Sequence, residues 1–232
     1  MQRIITDEYE IIFDKRSVTV YSTKRLVFEP KGRQIEFKRD IQSAVEQLQA
    51  DLNEELFAVY GTDYNKNPVD TENALFYNVG TSSFWNSAYS AVSFDTLSPK
   101  ETHLLFQELN KPQYHHYYSY KINNFLNRNI KPVLSWDKIE LFPLRGVHKP
   151  FEYWKLLREH INEVIVFDNN DIKGLFGLNI HIYEPEKRFI TLANPMKALL
   201  DGVICAFHRL PQTVDKEALE KVSFRLKMPA KI

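Results

Sequence analysis

Apolar and polar side chains alternate over the first forty residues, in the sets Tyr9, Ile11, Phe13; Val18, Val20; Leu26, Phe28; and Ile35, Phe37. Successive side chains of a strand point to opposite faces, so a period of two over short runs predicts half-buried strands. The turn-forming "EPKGRQ" between the last two sets predicts a hairpin or meander. From Asp40 the period lengthens. Ile41, Ala44, Val45, Leu48 and Leu52 share one helical face, with Asp40 placed to cap it.

The stretch "YGTDYNKNPVDTEN" breaks regular structure, and "ALFYNVG" and "AYSAVSFDTL" predict strands on either side of "TSSFWNS". At Ser98 the run "SPKE" combines a cap, a proline at the first helical position and Glu101 at the third. This capping box predicts a helix to about Leu109. Lys111 to Lys131 is rich in tyrosine, asparagine and basic residues and has no acidic residue. That shift marks a soft boundary between portions 1–110 and 111–232, which could also share one core.

Beyond it the pattern predicts a strand at "KIELFPL" and a helix from Pro150 with Trp154, Leu157, Ile161 and Val164 on one face. A strand at "LFGLNIHIYEP" follows, then a helix over 194–208 and a last one from about Val214, capped by Thr213. The expected class is α+β, with an N-terminal, mainly antiparallel sheet carrying one or two helices and a C-terminal α/β portion that includes the amphipathic 194–208 helix.

Composition narrows the function classes. The 232 residues are 44% hydrophobic and 13% aromatic, enough to fill a core. Thirty basic residues balance thirty acidic ones, whereas a non-specific DNA coater needs a basic excess to neutralise phosphates. Nucleic-acid contact would therefore be a local patch. The single cysteine, Cys205, excludes an intrachain disulfide and a cysteine-cluster zinc site. Only seven glycines occur, and no glycine-rich phosphate loop is among them. "MQRIITDEYEIIFDK" has no signal-peptide core, and no apolar run has bilayer-spanning length, so a cytoplasmic location is expected.

Chemistry concentrates in "RFITLANPMKALLDGVICAFHR". Asn194 suits an N-cap and Pro195 the first helical position. Met196, Leu199, Leu200, Val203 and Phe207 would be buried, while Lys197 and Asp201, four apart, can pair, and His208 lies on the same side. This stripe reads either as a solvated helix face or as a site. In "YHHYYSYK", His115 and His116 point to opposite faces of a strand and could not share an ion. Its aromatics, with Lys121, Arg128 and Lys131, could stack on bases, or form an exposed-edge strand. Cys205 and His208 stand within one helical turn but have no orienting partner, and Asp168, Asp171 and Glu184 flank a turn without the ligand spacing of an EF-hand.

From Pro150 onward the order of elements resembles the RusA-type Holliday-junction resolvases. "KPFEYWKLLREHINEV" is similar to that family's tryptophan-bearing helix, and "LFGLNIHIYEPEKR" to its strand and proline turn. "TLANPMKALLDG" stands where the family has an Asp-Leu-Asp-Asn motif leading into a helix. Asn194, Lys197 and Asp201 match in type and spacing, over a resemblance covering about residues 150–209. The family's two motif aspartates fall on Thr191 and Ala193, and the carboxylates it places after the helix are missing from "AFHRLPQTVD". Since Mg²⁺ needs carboxylates to anchor it, the resemblance implies a non-catalytic or altered relative with no resident metal or other cofactor. Its expected ligand is structured DNA or a nucleic-acid-handling partner, met by Lys197, Asp201 and His208 with Arg188 and Arg209 nearby for phosphate; a homo-oligomer is a further expectation. Two other readings stand beside it: a protein–protein interaction or structural module, and a metal-dependent hydrolase using Asp201, His208 and carboxylates from elsewhere in the chain.

Overall fold

The structure, a computed structural model, describes residues 1–64, 70–124, 134–135, 139–140, 149–160, 165–166, 178–182 and 192–207. It is an α+β fold built on a six-stranded mixed sheet with the spatial order β1-β2-β3-β6-β4-β5. Strands β1 (Gln2–Ile5), β2 (Tyr9–Phe13) and β3 (Ser17–Ser22) form an antiparallel meander, whereas the hairpin expected across "EPKGRQ" does not form, because that stretch is a loop running into a helix. Strand β6 (His116–Asn124) lies antiparallel between β3 and β4 (Glu54–Thr62), and β5 (Ala91–Leu97) adds to β4 in parallel.

The alternation of the first forty residues correctly predicts β2 and β3, then fails. Leu26 is fully buried but lies in a loop, Ile35 is exposed, and Phe37 belongs to helix α1 (Arg33–Val45). Two apolar positions two apart are too few to separate a strand from a helix. Phe37 continues the helical face of Ile41, Ala44 and Val45. Gly32, at φ 58°, supplies the backbone reversal that starts α1, so the helix begins well before Asp40. Asp40 is an interior helix residue whose carboxylate accepts the Tyr9 hydroxyl at 2.7 Å. Leu48 is buried past the helix end, and Leu52 is solvent-facing.

Strand β4 was not among the expected elements, although Leu56, Ala58 and Tyr60 alternate along it and are fully buried. "ALFYNVG" is not a strand. It forms a π-helical turn over Asn73–Tyr77, with Ala74, Leu75 and Phe76 all buried, followed by a 3₁₀ turn over Thr81–Phe84. A continuous apolar run buried on all sides does not reveal its own period. Helix α2 (Pro99–Glu108) has the expected capping box: the Ser98 hydroxyl accepts from the Glu101 N–H, and the Glu101 carboxylate accepts from the Ser98 N–H.

One face of the sheet holds the main core. Tyr9, Ile11 and Phe13 of β2, Val18 and Val20 of β3, Tyr118, Tyr120 and Ile122 of β6, and Leu56, Ala58 and Tyr60 of β4 pack beneath α1 and the π turn. Three fully buried tyrosines keep their hydroxyls paired: Tyr118 accepts from the Leu26 N–H (3.0 Å), Tyr120 donates to the Leu75 carbonyl (2.7 Å), and Tyr60 meets His116 Nδ1 (2.9 Å). On the opposite face Tyr21, Phe106 and Tyr114 form a smaller cluster. There the Lys111 ammonium sits 4.6 Å from the Tyr21 ring centre and pairs with the buried Glu10 carboxylate.

Helix α3 (Pro150–Glu159) begins where the sequence placed it, but Tyr153 is its buried residue, with Trp154 and Leu157 half-buried. A short antiparallel pair, β7 (Leu134–Ser135) and β8 (Ile165–Val166), precedes and follows α3 in the chain. Residues 178–182 of the expected "LFGLNIHIYEP" strand have no strand structure. The rest of that segment lies outside the described residues, as do most of the "KIELFPL" strand and the whole of the last expected helix. No helix among the described residues is long and apolar enough to cross a membrane.

Candidate functional site

Helix α4 (Ala193–Phe207) starts one residue earlier than expected, so Asn194 and Pro195 lie in its first turn. Two contacts tie that turn to the sheet-bearing part of the chain. The Leu192 N–H donates to the Ala88 carbonyl at 2.7 Å, and the Tyr77 hydroxyl donates to the Asn194 carbonyl at 2.9 Å. Ala193, Met196, Val203 and Ala206 are buried, while Leu199 and Leu200 are half-buried. Gly202 is buried against α3, where an added Cβ would come within 2.5 Å of the Pro150 carbonyl oxygen and of Tyr153 Cβ. A small residue here sets the close approach of α3 and α4.

This packing brings Lys197 over the start of the π turn. Its ammonium lies 2.8 Å from Asp70 Oδ2, 3.2 Å from Glu72 Oε1 and 3.5 Å from Asp201 Oδ2. The expected Lys197–Asp201 pair therefore forms, but within a larger cluster. Asn73 also donates its side-chain amide to Asp70.

The two carboxyl groups from the 70–73 segment are electrostatically different. Burial and the neighbouring Asp70 carboxyl push Glu72 up to about 7. Burial also raises Asp70, but the hydrogen bonds from Glu72 and Lys197 outweigh it, and Asp70 ends below its usual range. Glu72 is the better buried of the two, 15% against 41% exposed, so it takes the shared proton. Burial disfavours the Lys197 ammonium, yet hydrogen bonds to Asp70 and Glu72 outweigh it and raise the lysine. With one ammonium against Asp70, Asp201 and a partly ionised Glu72, the cluster is acidic overall at neutral pH.

Asp70, Glu72 and Asn73 are functional candidates that no local pattern marks, because their stretch reads as a break in regular structure. Of the residues it singled out, Lys197 and Asp201 meet, while Arg188, His208 and Arg209 lie outside the described residues. Cys205 is exposed on α4. No three His, Cys, Asp or Glu side chains among the described residues converge on a metal position. Two contacting carboxyl groups, however, suffice for Mg²⁺ that fills its remaining positions with water and substrate oxygens.

A second constellation stands at the carboxyl end of β4 and the start of β6. Strand β6 is interior rather than an exposed edge, and its Tyr118 and Tyr120 are fully buried. The adjacent histidines part company as the alternation required. His116 is buried with its Nδ1 on the Tyr60 hydroxyl, and burial together with the Arg25 charge lowers it to about 4. His115 is 35% exposed, with its Nδ1 3.1 Å from Asp63 Oδ2. The Tyr64 ring, itself half exposed, lies 4.9 Å from the His115 ring centre and 5.5 Å from that of His116.

The fold class is thus α+β, with a carboxylate–lysine cluster where α4 meets the π turn. No family model, no curated protein and no solved structure matches the chain.

Proposed function

We propose that the chain is an altered RusA-like protein that handles phosphodiesters of structured DNA, with Asp70 and Glu72 supplying the acidic groups missing at Thr191 and Ala193. The observation that carries this reading is the meeting of Asp70 and Glu72 with Lys197 and Asp201 across the chain. Asp70-Thr71-Glu72-Asn73 has two carboxyl groups two residues apart followed by asparagine, leading into a helical turn. That is the order of the family motif, which the resemblance places directly before α4. Mg²⁺ held by Asp70 and Glu72 would polarise a phosphoryl oxygen and offset its charge. Lys197 would face the phosphate, and Mg²⁺ binding would require Glu72 to give up the proton that burial and Asp70 favour near neutrality.

Fluorescence anisotropy with labelled single-stranded, duplex and four-way-junction DNA, with and without Mg²⁺, tests this reading when the same samples are run on a denaturing gel. Mg²⁺-dependent, salt-sensitive junction binding that Asp70→Asn weakens is the expected result, and strand cleavage on the gel would add a catalytic role. Absence of binding to all three probes would overturn it.

A second reading has its own support. Lys197 is already surrounded by carboxylates, and Ala193 and Met196 of the same helix join the main core. The cluster could therefore serve as a clasp within a protein-interaction or structural module. A DNA-silent protein destabilised by Lys197→Met would favour that alternative.

A further inference from the structure

The Tyr64–His115 step is not used by the carboxylate cluster, and its chemistry differs. Both rings are partly open to solvent and lie 4.9 Å apart at an interplanar angle of 33°. Their backs are fixed. Asp63 holds His115 Nδ1, and the buried His116 ring, pinned by Tyr60, supports Tyr64 edge to face. A ring held rigidly on one side and open on the other is a stacking surface with little ordering entropy left to lose.

Arg25 supplies a cation near this step. It is exposed, forms no ion pair among the described residues, and lies between Ser22, which pairs with His116 across the sheet, and Leu26, whose N–H bonds the Tyr118 hydroxyl. An open π surface with a free guanidinium nearby matches the two parts of a nucleotide, the flat base and the phosphate.

The step also stands at the sheet end that leads to the carboxylate cluster. Strands β4 and β5 are parallel, so Tyr60 to Thr62 and Thr96 lie at the same end. Asp63 and Tyr64 continue from β4, and the Thr71 hydroxyl bonds that of Thr96 at 2.5 Å, one residue from both Asp70 and Glu72.

Resting on the phosphodiester reading above, we infer that Tyr64, His115 and Arg25 form a subsite for one unpaired nucleotide, the base stacking on Tyr64 and the phosphate meeting Arg25. Its ligand class is single-stranded nucleic acid or the unpaired arm of a branched one. Sequence tolerance is expected, since every base presents a π face.

The test is anisotropy of the full chain with a four-way junction with and without an oligo-dT arm, alongside an NMR titration with deoxythymidine monophosphate that follows the imidazole resonances. The wild type is expected to prefer the armed junction, and the mononucleotide to shift the His115 ring. Tyr64→Ala should weaken armed-junction binding by about 5- to 100-fold, as for loss of one stacked base, while Tyr64→Phe retains it. Arg25→Ala should reduce the salt slope by about one phosphate contact. If Tyr64→Ala proves poorly folded, the Tyr64→Phe and Arg25→Ala pair still decides. Wild-type binding that ignores both Tyr64→Ala and Arg25→Ala would overturn the subsite and leave the phosphodiester reading standing. No DNA binding by the wild type would overturn that reading, and a silent mononucleotide titration with it would remove the subsite as well.

Discussion

Lys197 Nζ and Asp70 Oδ2 lie 2.8 Å apart across 127 positions of chain. The contact joins the beginning of the π turn to the first turns of α4, and Tyr77 strengthens the join by donating to the Asn194 carbonyl. Removing the cation would leave Asp70 and Glu72 facing each other without compensation. Lys197→Met is expected to lower stability by about 1–3 kcal/mol at pH 8, the scale of leaving partly buried charged groups unpaired. Urea denaturation read by circular dichroism checks it.

Glu72 gives the cluster a pH dependence with a definite sign. Its folded value, raised to about 7, exceeds that of an unfolded glutamate, so the folded state holds the extra proton between roughly 4.5 and 7. The stabilisation from that proton is fully present below the unfolded value and is lost as pH rises through about 7. Glu72→Gln mimics the protonated group. It should stabilise the protein at pH 8, by about 1 kcal/mol, and have little effect at pH 5. Equal effects at both pH values would contradict the assignment.

His116 acts in the acid range. Its folded value of about 4 lies below the ordinary 6.5, so the unfolded chain binds the proton first. Stability from this group is complete above pH 6.5 and is lost as pH falls towards 4, by up to about 3 kcal/mol. His116→Phe should flatten this part of the pH–stability curve, at a constant cost for the unpaired Tyr60 hydroxyl. Denaturation at a series of pH values between 7.5 and 4 measures both effects.

Gly202→Ala tests the seam between α3 and α4. The added methyl would stand 2.5 Å from the Pro150 oxygen, 2.5 Å from Tyr153 Cβ and 3.1 Å from the Trp154 nitrogen. Backbone atoms on α3 cannot yield as a flexible side-chain tip can, so the helices must separate. A loss of about 1–3 kcal/mol is expected despite alanine's higher helix propensity. Hydrogen exchange should show the loss first in α3 and α4.

Several of these features were legible in the residues, for reasons that vary with the interaction. Strands β2 and β3 and the capped helix α2 follow from local patterns, a strict alternation and a short motif whose partners are three residues apart, while the turn residues of "EPKGRQ" open a helix rather than a hairpin. The Lys197–Asp201 pair was readable because helical geometry fixes contacts four residues apart. Asp70 and Glu72 were not, since their meeting with Lys197 depends on how α4 docks rather than on any local period. The π turn has the pattern of a strand because Ala74, Leu75 and Phe76 are all buried, which erases the polar stripe that would identify a helix. The interior position of β6 was likewise hidden, as tyrosines serve both wet edges and dry interiors. What distinguishes the two cases is whether a partner waits for each hydroxyl.

Those partners have a consequence for strand alignment. Inward–outward alternation alone would tolerate β6 sliding by two residues against β3 and β4, which keeps the same face inward and moves one tyrosine into the other's place while Ile122 or His116 takes the remaining one. The hydroxyls do not tolerate it: one must accept from the Leu26 N–H and the next must donate to the Leu75 carbonyl, each in a separate, fully enclosed spot. The phenolic oxygens therefore act as an alignment key, penalising a mispaired sheet that greasy contacts alone would accept.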